Sequence, residues 1–171
     1  MKLEDASQFS RMERALVPHL DAAYNLARWL MGSGQEAEDA EQEACVRALS
    51  FFDGFRGDDG RAWLLAIVRN TCYDRMRQRR PTAELVETAD DSPGPEALQL
   101  REVDREMVRG ALERLPPEYR EVLVLRELEG MSYREIAQVA AVPMGTVMSR
   151  LSRGRAALRK SLAAALGKEK P

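Results

Sequence analysis

The sequence predicts an all-helical protein made of two small domains on a flexible acidic tether. Alanine and leucine recur at the 3.6-residue period of amphipathic helices, aromatic residues make up only 6% of the chain, and no alternating β-branched run suggests a strand. Residues 81–100 carry three prolines, a glycine and many acids, which is typical of a linker. We therefore predict domains at 10–80 and 102–167, joined by a linker at 81–101.

The first domain is predicted to hold three helices. The first spans 10–31 and ends at Gly32 and Gly34. The second spans about 36–52, with acids at its N-terminus, where the helix dipole favours them. Its inward face is predicted to be formed by Ala40, Ala44, Ala48 and Phe51. A glycine-rich loop, FDGFRGDDG, then leads into a basic third helix that Pro81 stops.

The second domain is predicted to end in a helix-turn-helix. Helices near 102–114 and 118–129 flank a Pro-Pro break. Ser132 and Glu135 then form a capping-box signal, Pro143 marks a new helix start, and apolar residues recur along that last helix at helical spacing. A short helix, a tight turn and an arginine-rich second helix are typical of a DNA-reading motif. The alternative is an ordinary helical hairpin with a solvated basic face.

Charge is strongly partitioned, although the formal net charge is only −2. Residues 132–171 carry eight Lys/Arg against two acids, and 61–80 carry six arginines against Asp74 alone. Residues 84–106, in contrast, hold eight acids and two arginines. This distribution predicts nucleic-acid contacts at two separate places.

The sequence argues against a signal peptide, a membrane span, a metal site and an enzyme active site. The start is too polar for a signal peptide, and no apolar stretch reaches membrane-spanning length. Cys45 and Cys72 lack metal-ligand spacing and are expected to be reduced, buried thiols, with a redox switch as the alternative that the sequence leaves open. The single His19 has no catalytic neighbours, so we expect no enzyme activity, cofactor or metal, and a cytoplasmic, monomeric protein without membrane insertion.

Four motifs occur in order along the chain: EAEDAEQEACVRAL, FDGFRG, WLLAIVRNTCYDRMRQRR, and a terminal block from LPPEYREVL to RGRAALRK. In this order, over about residues 16–166, they resemble the bacterial sigma factors of the extracytoplasmic-function class. The resemblance implies a region-two domain at 10–80 and a region-four helix-turn-helix domain at 102–167. It also implies a subunit that binds core RNA polymerase, reads the −35 promoter element as duplex and opens the −10 element.

The resemblance implies three groups of site residues. The −35 duplex would be contacted by residues of the helix-turn-helix: Arg134, Thr146, Ser149, Arg150, Arg153 and Arg155. The −10 element would be opened by Phe55, Asn70 and the rail of arginines that includes Arg77. Core polymerase would dock on the second helix through Asp39, Gln42, Glu43 and Arg47.

Each of these assignments has a plainer alternative. An arginine of the last helix can clamp a phosphate without reading sequence. Phe55 can be a core plug, Asn70 can bond its helix neighbours or water, and the acidic helix start can be a capped, solvated end. A stand-alone helix-turn-helix regulator would explain 132–160 but leave the loop, Asn70 and the acidic helix without a role.

The chain departs from the family pattern at three places. Met148 stands where a cationic residue is common, and Ala141 stands where the turn usually has a glycine, at a cost of about 1 kcal/mol if the turn needs positive φ. Ala40 and Glu41 replace a common apolar pair in the docking helix. No sensory domain is expected after the last helix, so regulation would come from a separate anti-sigma protein. We also expect neutralising the linker acids to alter initial transcription.

Overall fold

The computed structural model describes residues 2–79 and 96–167, and every regular element in these ranges is helical. Residues 80–95, with most of the predicted acidic linker and Pro81, lie outside the described residues. The first group of helices is α1 (Lys2–Leu16), α2 (Leu20–Met31), α3 (Gly34–Phe51) and α4 (Gly60–Gln78). The second group is α5 (Glu96–Glu113), α6 (Pro117–Leu123), α7 (Tyr133–Ala140) and α8 (Met144–Gly167). The all-α fold class is confirmed.

The core of the first group lies between α2, α3 and α4. Helix α3 contributes a stripe of four fully buried alanines, Ala37, Ala40, Ala44 and Ala48. Their small side chains let neighbouring helices approach closely, and larger residues of α2 and α4 fill the space: Leu26, Leu30, Leu64, Leu65 and Val68. The three predicted inward alanines are therefore confirmed.

Two details of the first group differ from the prediction. The expected single helix at 10–31 is interrupted by a 3₁₀ turn at Val17–His19, because Pro18 has no N–H to donate to the helix ladder. Phe51 was predicted to face inward but is 62% exposed, whereas Phe52 is 2% exposed. Since α3 gives way to a 3₁₀ turn at Phe52–Gly54, the chain rotates there and buries the second phenylalanine instead.

Helix ends follow the residue types at the boundaries. Gly32 ends α2 with φ of 81°, a left-handed conformation that suits glycine, as predicted. The Ser33 hydroxyl caps α3 by accepting the Glu36 N–H at 3.3 Å. The Asp59 carboxylate caps α4 by accepting the Ala62 N–H at 2.9 Å. Gly32 and Ser33 therefore fix the turn between α2 and α3, and Asp59 fixes the end of the loop that joins α3 to α4.

The second group packs α5, α6 and α7 around the first half of α8. Helix α5 begins six residues before the predicted start at 102, so part of the predicted linker is helical. After α6 the chain continues as a π-helical turn, Val124–Leu128, in which Glu129 donates its N–H to Val124. Gly154 lets α8 cross α6 closely, because a Cβ there would lie 3.3 Å from Leu123 and Tyr119. No helix in the described ranges is long and apolar enough to cross a bilayer.

Candidate nucleic-acid and polymerase interfaces

The turn between α7 and α8 has the predicted helix-turn-helix geometry. Ser132 accepts the Glu135 N–H at 3.2 Å, and the Glu135 carboxylate accepts the Ser132 N–H at 2.6 Å, so the capping box is confirmed. The hydrogen bond that the Glu135 carboxylate accepts from the Ser132 N–H is the main cause that lowers the pKa of Glu135. Ala141 lies in the left-handed region with φ of 53° and ψ of 46°, the conformation in which an alanine side chain is strained. The condition under which the sequence analysis assigned a cost to Ala141, a positive φ in the turn, is therefore met.

The outer face of α8 presents polar side chains to solvent. Val147 and Leu151 are buried against the domain, which directs Met148, Ser149 and Arg153 outward. The Ser149 hydroxyl donates to the carbonyl of Thr146 at 3.1 Å, in the first turn of the helix. Arg134 is exposed near the start of α7. Apart from Met148, these exposed side chains are polar, which suits contact with a duplex groove.

The other two predicted duplex-binding arginines are already paired within the protein. An Nη of Arg150 lies 3.4 Å from the Glu121 carboxylate, and an Nη of Arg155 lies 2.7 Å from the Glu127 carboxylate. The Arg155 pair is largely exposed and worth little. Glu121 is fully buried, so Arg150 must leave a desolvated partner before it can reach DNA.

The loop between α3 and α4 buries Phe55 rather than presenting it to solvent. Phe55 is 6% exposed, and its ring centroid lies 5.6 Å from that of Phe52 and 4.9 Å from that of Trp63. Beside this aromatic cluster is an open cavity of about 590 Å³. Its walls are the loop residues 54–59, the start of α4 and, from α7, Gln138. In this conformation Phe55 forms a cavity wall and its ring is a core contact.

Asn70 lies on the exposed side of α4, one turn beyond the cavity wall. Ala66 lines the cavity, and residues four apart share a helix face, so the Asn70 amide extends the same surface. Its Oδ1 accepts from an Nη of Arg69 at 3.3 Å. Arg77 is 75% exposed and pairs with Asp74 on its own helix.

The predicted polymerase-docking residues divide into two pairs. Gln42 is exposed, and Asp39 accepts a hydrogen bond from Gln35 at 3.2 Å on the outer side of α3. Glu43 and Arg47, however, face α4. Two ion pairs join the helices, Arg47 with Asp74 at 2.9 Å and Arg75 with Glu43 at 2.8 Å. Arg47 also pairs with Glu43 within α3, at 2.6 Å. Arg47 and Arg77 lower the pKa of Asp74 mainly by hydrogen bonding to it.

A buried ionic cluster joins the two groups of helices. The Glu121 carboxylate of α6 lies 2.8 Å from Nε of Arg69 on α4, and the same carboxylate pairs with Arg150 of α8. Burial raises the pKa of Glu121, and the two arginines oppose that effect. The Arg69 guanidinium also lies over the Tyr73 ring, 4.1 Å from its centroid. One acidic side chain therefore links the candidate strand-opening helix to the candidate duplex-reading helix.

Arg120 makes a second link, which sequence reasoning missed. Its guanidinium donates to the carbonyls of Trp29 and Leu30 at the end of α2, at 3.1 and 3.5 Å, and to three carbonyls of its own domain: Leu112, Glu113 and Leu115. A signal was present, because four consecutive apolar residues follow it, at 122–125. A helix that is apolar on every side is buried, and its charges must then find partners inside the protein.

The cysteines and acids of the described ranges do not form a chemical centre. No group of three or more His, Cys, Asp or Glu in these ranges could hold a metal ion. Cys72 is buried, which raises the pKa of its thiol to about 12, and burial also raises the pKa of Cys45. Both thiols are therefore protonated near neutral pH and poorly reactive.

Two family models match the two groups of helices. The family model "Sigma-70 region 2" matches residues 16–82, and "Sigma-70, region 4" matches residues 105–158. Together they cover more than half of the chain. The first includes α2 to α4 and the cavity loop, and the second includes the helix-turn-helix.

Curated relatives are similar over most of their length. The chain is 39% identical to the RNA polymerase sigma-H factor of Pseudomonas aeruginosa, covering 75% of this chain and 74% of that protein. It is 35% identical to the ECF RNA polymerase sigma factor SigW of Bacillus subtilis, covering 83% of each. It is 37% identical to the ECF RNA polymerase sigma-E factor of Escherichia coli K12, covering 72% of each.

Solved structures show the same fold. The sigma factor RpoE of Bartonella quintana, in complex with the anti-sigma factor NepR, aligns with a TM-score of 0.70 at 26% identity over 88% of this chain and 96% of that one. CnrH, in complex with the cytosolic domain of CnrY, aligns with a TM-score of 0.64 at 29% identity over 93% and 89%. The two matched regions and the curated relatives show that this chain belongs to the extracytoplasmic-function sigma factors, which direct promoter-specific transcription initiation by bacterial RNA polymerase and are not enzymes.

Proposed function

We propose that the two matched regions divide promoter recognition between duplex reading and strand opening. The outer face of α8, with Ser149 and Arg153, enters the major groove of the −35 element, and Thr146 lies at the groove end of the helix. Arg134 and Arg155 contact phosphates, and Arg150 joins them once it leaves Glu121. The loop cavity and Asn70 take up an unpaired base of the −10 element, while Arg77 and its neighbours follow the backbone.

The observation that carries this proposal is the placement of Asn70. A polar amide one helical turn beyond an open, partly aromatic cavity of about 590 Å³ offers a stacking surface and an edge-reading group together. A helix that only packed inside a bundle would gain nothing from an exposed asparagine beside a cavity. An unpaired base, in contrast, needs both a wall to stack on and a donor or acceptor for its Watson–Crick edge.

Core polymerase is proposed to dock on the outer side of α3. Asp39 and Gln42 are the residues of the predicted set that face outward, and they are the direct contacts in this proposal. Glu43 and Arg47 support docking indirectly in this proposal, since their ion pairs with α4 hold the docking helix in place. The exposed Val46, at 63%, provides an apolar contact on the same helix.

Regulation and location follow from the same assignment. RpoE of Bartonella quintana and CnrH are each solved with a protein bound, and NepR is named an anti-sigma factor. We propose that a separate protein of this kind holds the present chain inactive and that the free chain is a monomer. Because core polymerase and the chromosome are cytoplasmic in bacteria, we place the chain in the cytoplasm.

A run-off transcription assay tests the proposed function. Bacterial core polymerase is mixed with the full-length chain and a random promoter library, and productive templates are selected and sequenced. We expect templates that share two conserved elements, and a product that depends on the added chain. A product that is independent of the chain, or no product from any template, would overturn the proposal. Binding of the isolated chain to duplex as a dimer at two half-sites would instead indicate a stand-alone regulator.

A further inference from the structure

Helix α1 braces the loop that forms the cavity. All but the last residue of α1 (Lys2–Leu16) precedes the segment that matches sigma region two, 16–82. From α1, an Nη of Arg11 donates to the Phe55 carbonyl at 2.6 Å, across 44 residues of sequence. The Arg11 guanidinium carbon also lies 5.4 Å from the centre of the Phe52 ring. Gln8, one turn earlier, donates to the Asp53 carboxylate.

These contacts fix the loop at its backbone and at its aromatic base. The Phe55 N–H is bonded to the Phe52 carbonyl at 2.9 Å, and Arg11 supplies the partner for the Phe55 carbonyl. The N–H and the carbonyl of Phe55 are therefore both hydrogen-bonded, and the Phe55 ring is held as a cavity wall. A hydrogen bond from a charged donor is stronger than a neutral one. Arg11 can therefore restrain a loop that is otherwise exposed from Arg56 to Asp59.

Helix α1 also packs against α4 at one well-defined position. A Cβ on Gly60, the first residue of α4, would lie 2.2 Å from the carbonyl oxygen of Ala15. Only glycine fits there, because the obstacle is backbone and cannot rotate away. The end of α1 is thus seated directly on the start of α4, and this places Arg11 one helical turn earlier, over the loop.

We propose that Arg11 is a positioning residue for base capture by the Phe55 loop. This inference rests on the proposed function of the loop cavity in opening the −10 element. Arg11 does not touch the captured base. It holds the Phe55 backbone and the Phe52 ring in the geometry that receives the base, so that capture does not have to order the loop first.

The test compares base discrimination by full-length variants bound to core polymerase. The probe is a fluorescent single-stranded oligonucleotide with the non-template −10 sequence of a promoter selected by the wild-type holoenzyme. A second oligonucleotide differs at the captured base. The ratio of the two dissociation constants is measured for wild type, Arg11→Ala, Arg11→Lys and Arg14→Ala. Arg14 is the matched control, because it is an exposed arginine of the same helix and, among the described residues, donates within α1, to the Ser10 carbonyl.

We expect Arg11→Ala to reduce the discrimination ratio by about tenfold, the loss that corresponds to one charge-assisted hydrogen bond. Arg11→Lys should restore part of it, since an ammonium can reach one carbonyl but lacks the planar face that covers Phe52. Arg14→Ala should leave the ratio unchanged. A merely structural role would lower the melting temperature and active fraction without changing the ratio for the folded molecules.

Two results would overturn the inference. One is a wild-type ratio in Arg11→Ala, and the other is an equal loss in Arg14→Ala. If Arg11→Ala does not fold, Arg11→Lys decides by itself, because a wild-type ratio in that variant contradicts the need for the planar guanidinium. Absence of discrimination by the wild-type holoenzyme would instead contradict the proposed function of the cavity, and the two failures are therefore distinguishable.

Discussion

The backbone at Ala141 is strained, and a substitution at this residue can measure the cost of that strain. It is the one non-glycine residue with positive φ in the described ranges, and it terminates α7 by donating its N–H to the Ala137 carbonyl. The left-handed conformation costs an alanine about 1–2 kcal/mol, and glycine adopts it freely. The turn nevertheless forms, because the capping box before it and the buried Val147 after it fix both helices.

We expect Ala141→Gly to stabilise the second domain by about 0.5–1 kcal/mol, since relief of strain exceeds the added entropy of the unfolded chain. Urea unfolding followed by circular dichroism measures the difference. The matched control is Ala156→Gly, at an exposed position inside α8, which should destabilise by about 1 kcal/mol. Equal destabilisation by both substitutions would contradict the assigned turn geometry.

Sequence reasoning located single residues well where local chemistry determines the structure. The capping box at Ser132 and the helix end at Gly32 each depend on neighbours within four residues, and both are confirmed. The positive φ on which the expected cost at Ala141 depended is also present. Phe51 was misassigned because a 3₁₀ turn shifts the helical period by a fraction of a turn at the end of α3. Arg11, Arg69 and Arg120 were missed as positioning residues because their partners lie 44 to 91 residues away.

At the scale of elements, helix crossings depend on a few small residues. Helix α3 packs through a stripe of alanines, α8 crosses α6 at Gly154, and α1 crosses α4 at Gly60. The alanine period was readable from the sequence. The two crossings at glycine could not be predicted from the sequence, because a glycine within a helical pattern does not indicate which other helix packs against it. Likewise, Pro18 divides one predicted helix into α1 and α2.

We expect Gly60→Ala to destabilise the first domain by about 1–3 kcal/mol, because the added methyl must push α1 away from α4. Thermal unfolding followed by circular dichroism measures the effect. Gly110→Ala is the control, since its added Cβ meets no atom within 4 Å inside α5, and it should stabilise by about 0.5–1 kcal/mol. A neutral Gly60→Ala would show that α1 is not seated as described.

At the scale of the whole molecule, the two domains are locked together through Glu121. This carboxylate pairs with Arg69, beside Asn70, and with Arg150 on α8, the proposed duplex-reading helix. Arg61 adds a partly buried pair with Glu129 at 3.1 Å. Contacts between distant domains were beyond sequence prediction, which described the domains as tethered units. In the described conformation Glu121 pairs with Arg150 inside the second domain and with Arg69 across to the first domain.

We expect Glu121→Ala to open the molecule, because Arg69 and Arg150 lose their shared buried partner. The radius of gyration from small-angle X-ray scattering should increase, and the free chain should bind −35 duplex several-fold more tightly. Glu127→Ala is the control, since its exposed pair with Arg155 lies within the second domain and its loss should leave the radius unchanged. An unchanged radius in Glu121→Ala would contradict the lock.

The division of labour between the two domains is the central claim, and Asn70→Ala tests it most directly. Holoenzyme containing this variant is bound to a selected promoter, and permanganate reactivity of −10 thymines is measured together with the −35 footprint. We predict that strand opening falls by about tenfold or more, the loss of the hydrogen bonds that read a captured base, while the −35 footprint persists. The contradicting result is wild-type opening, or simultaneous loss of both signals from a variant with wild-type stability.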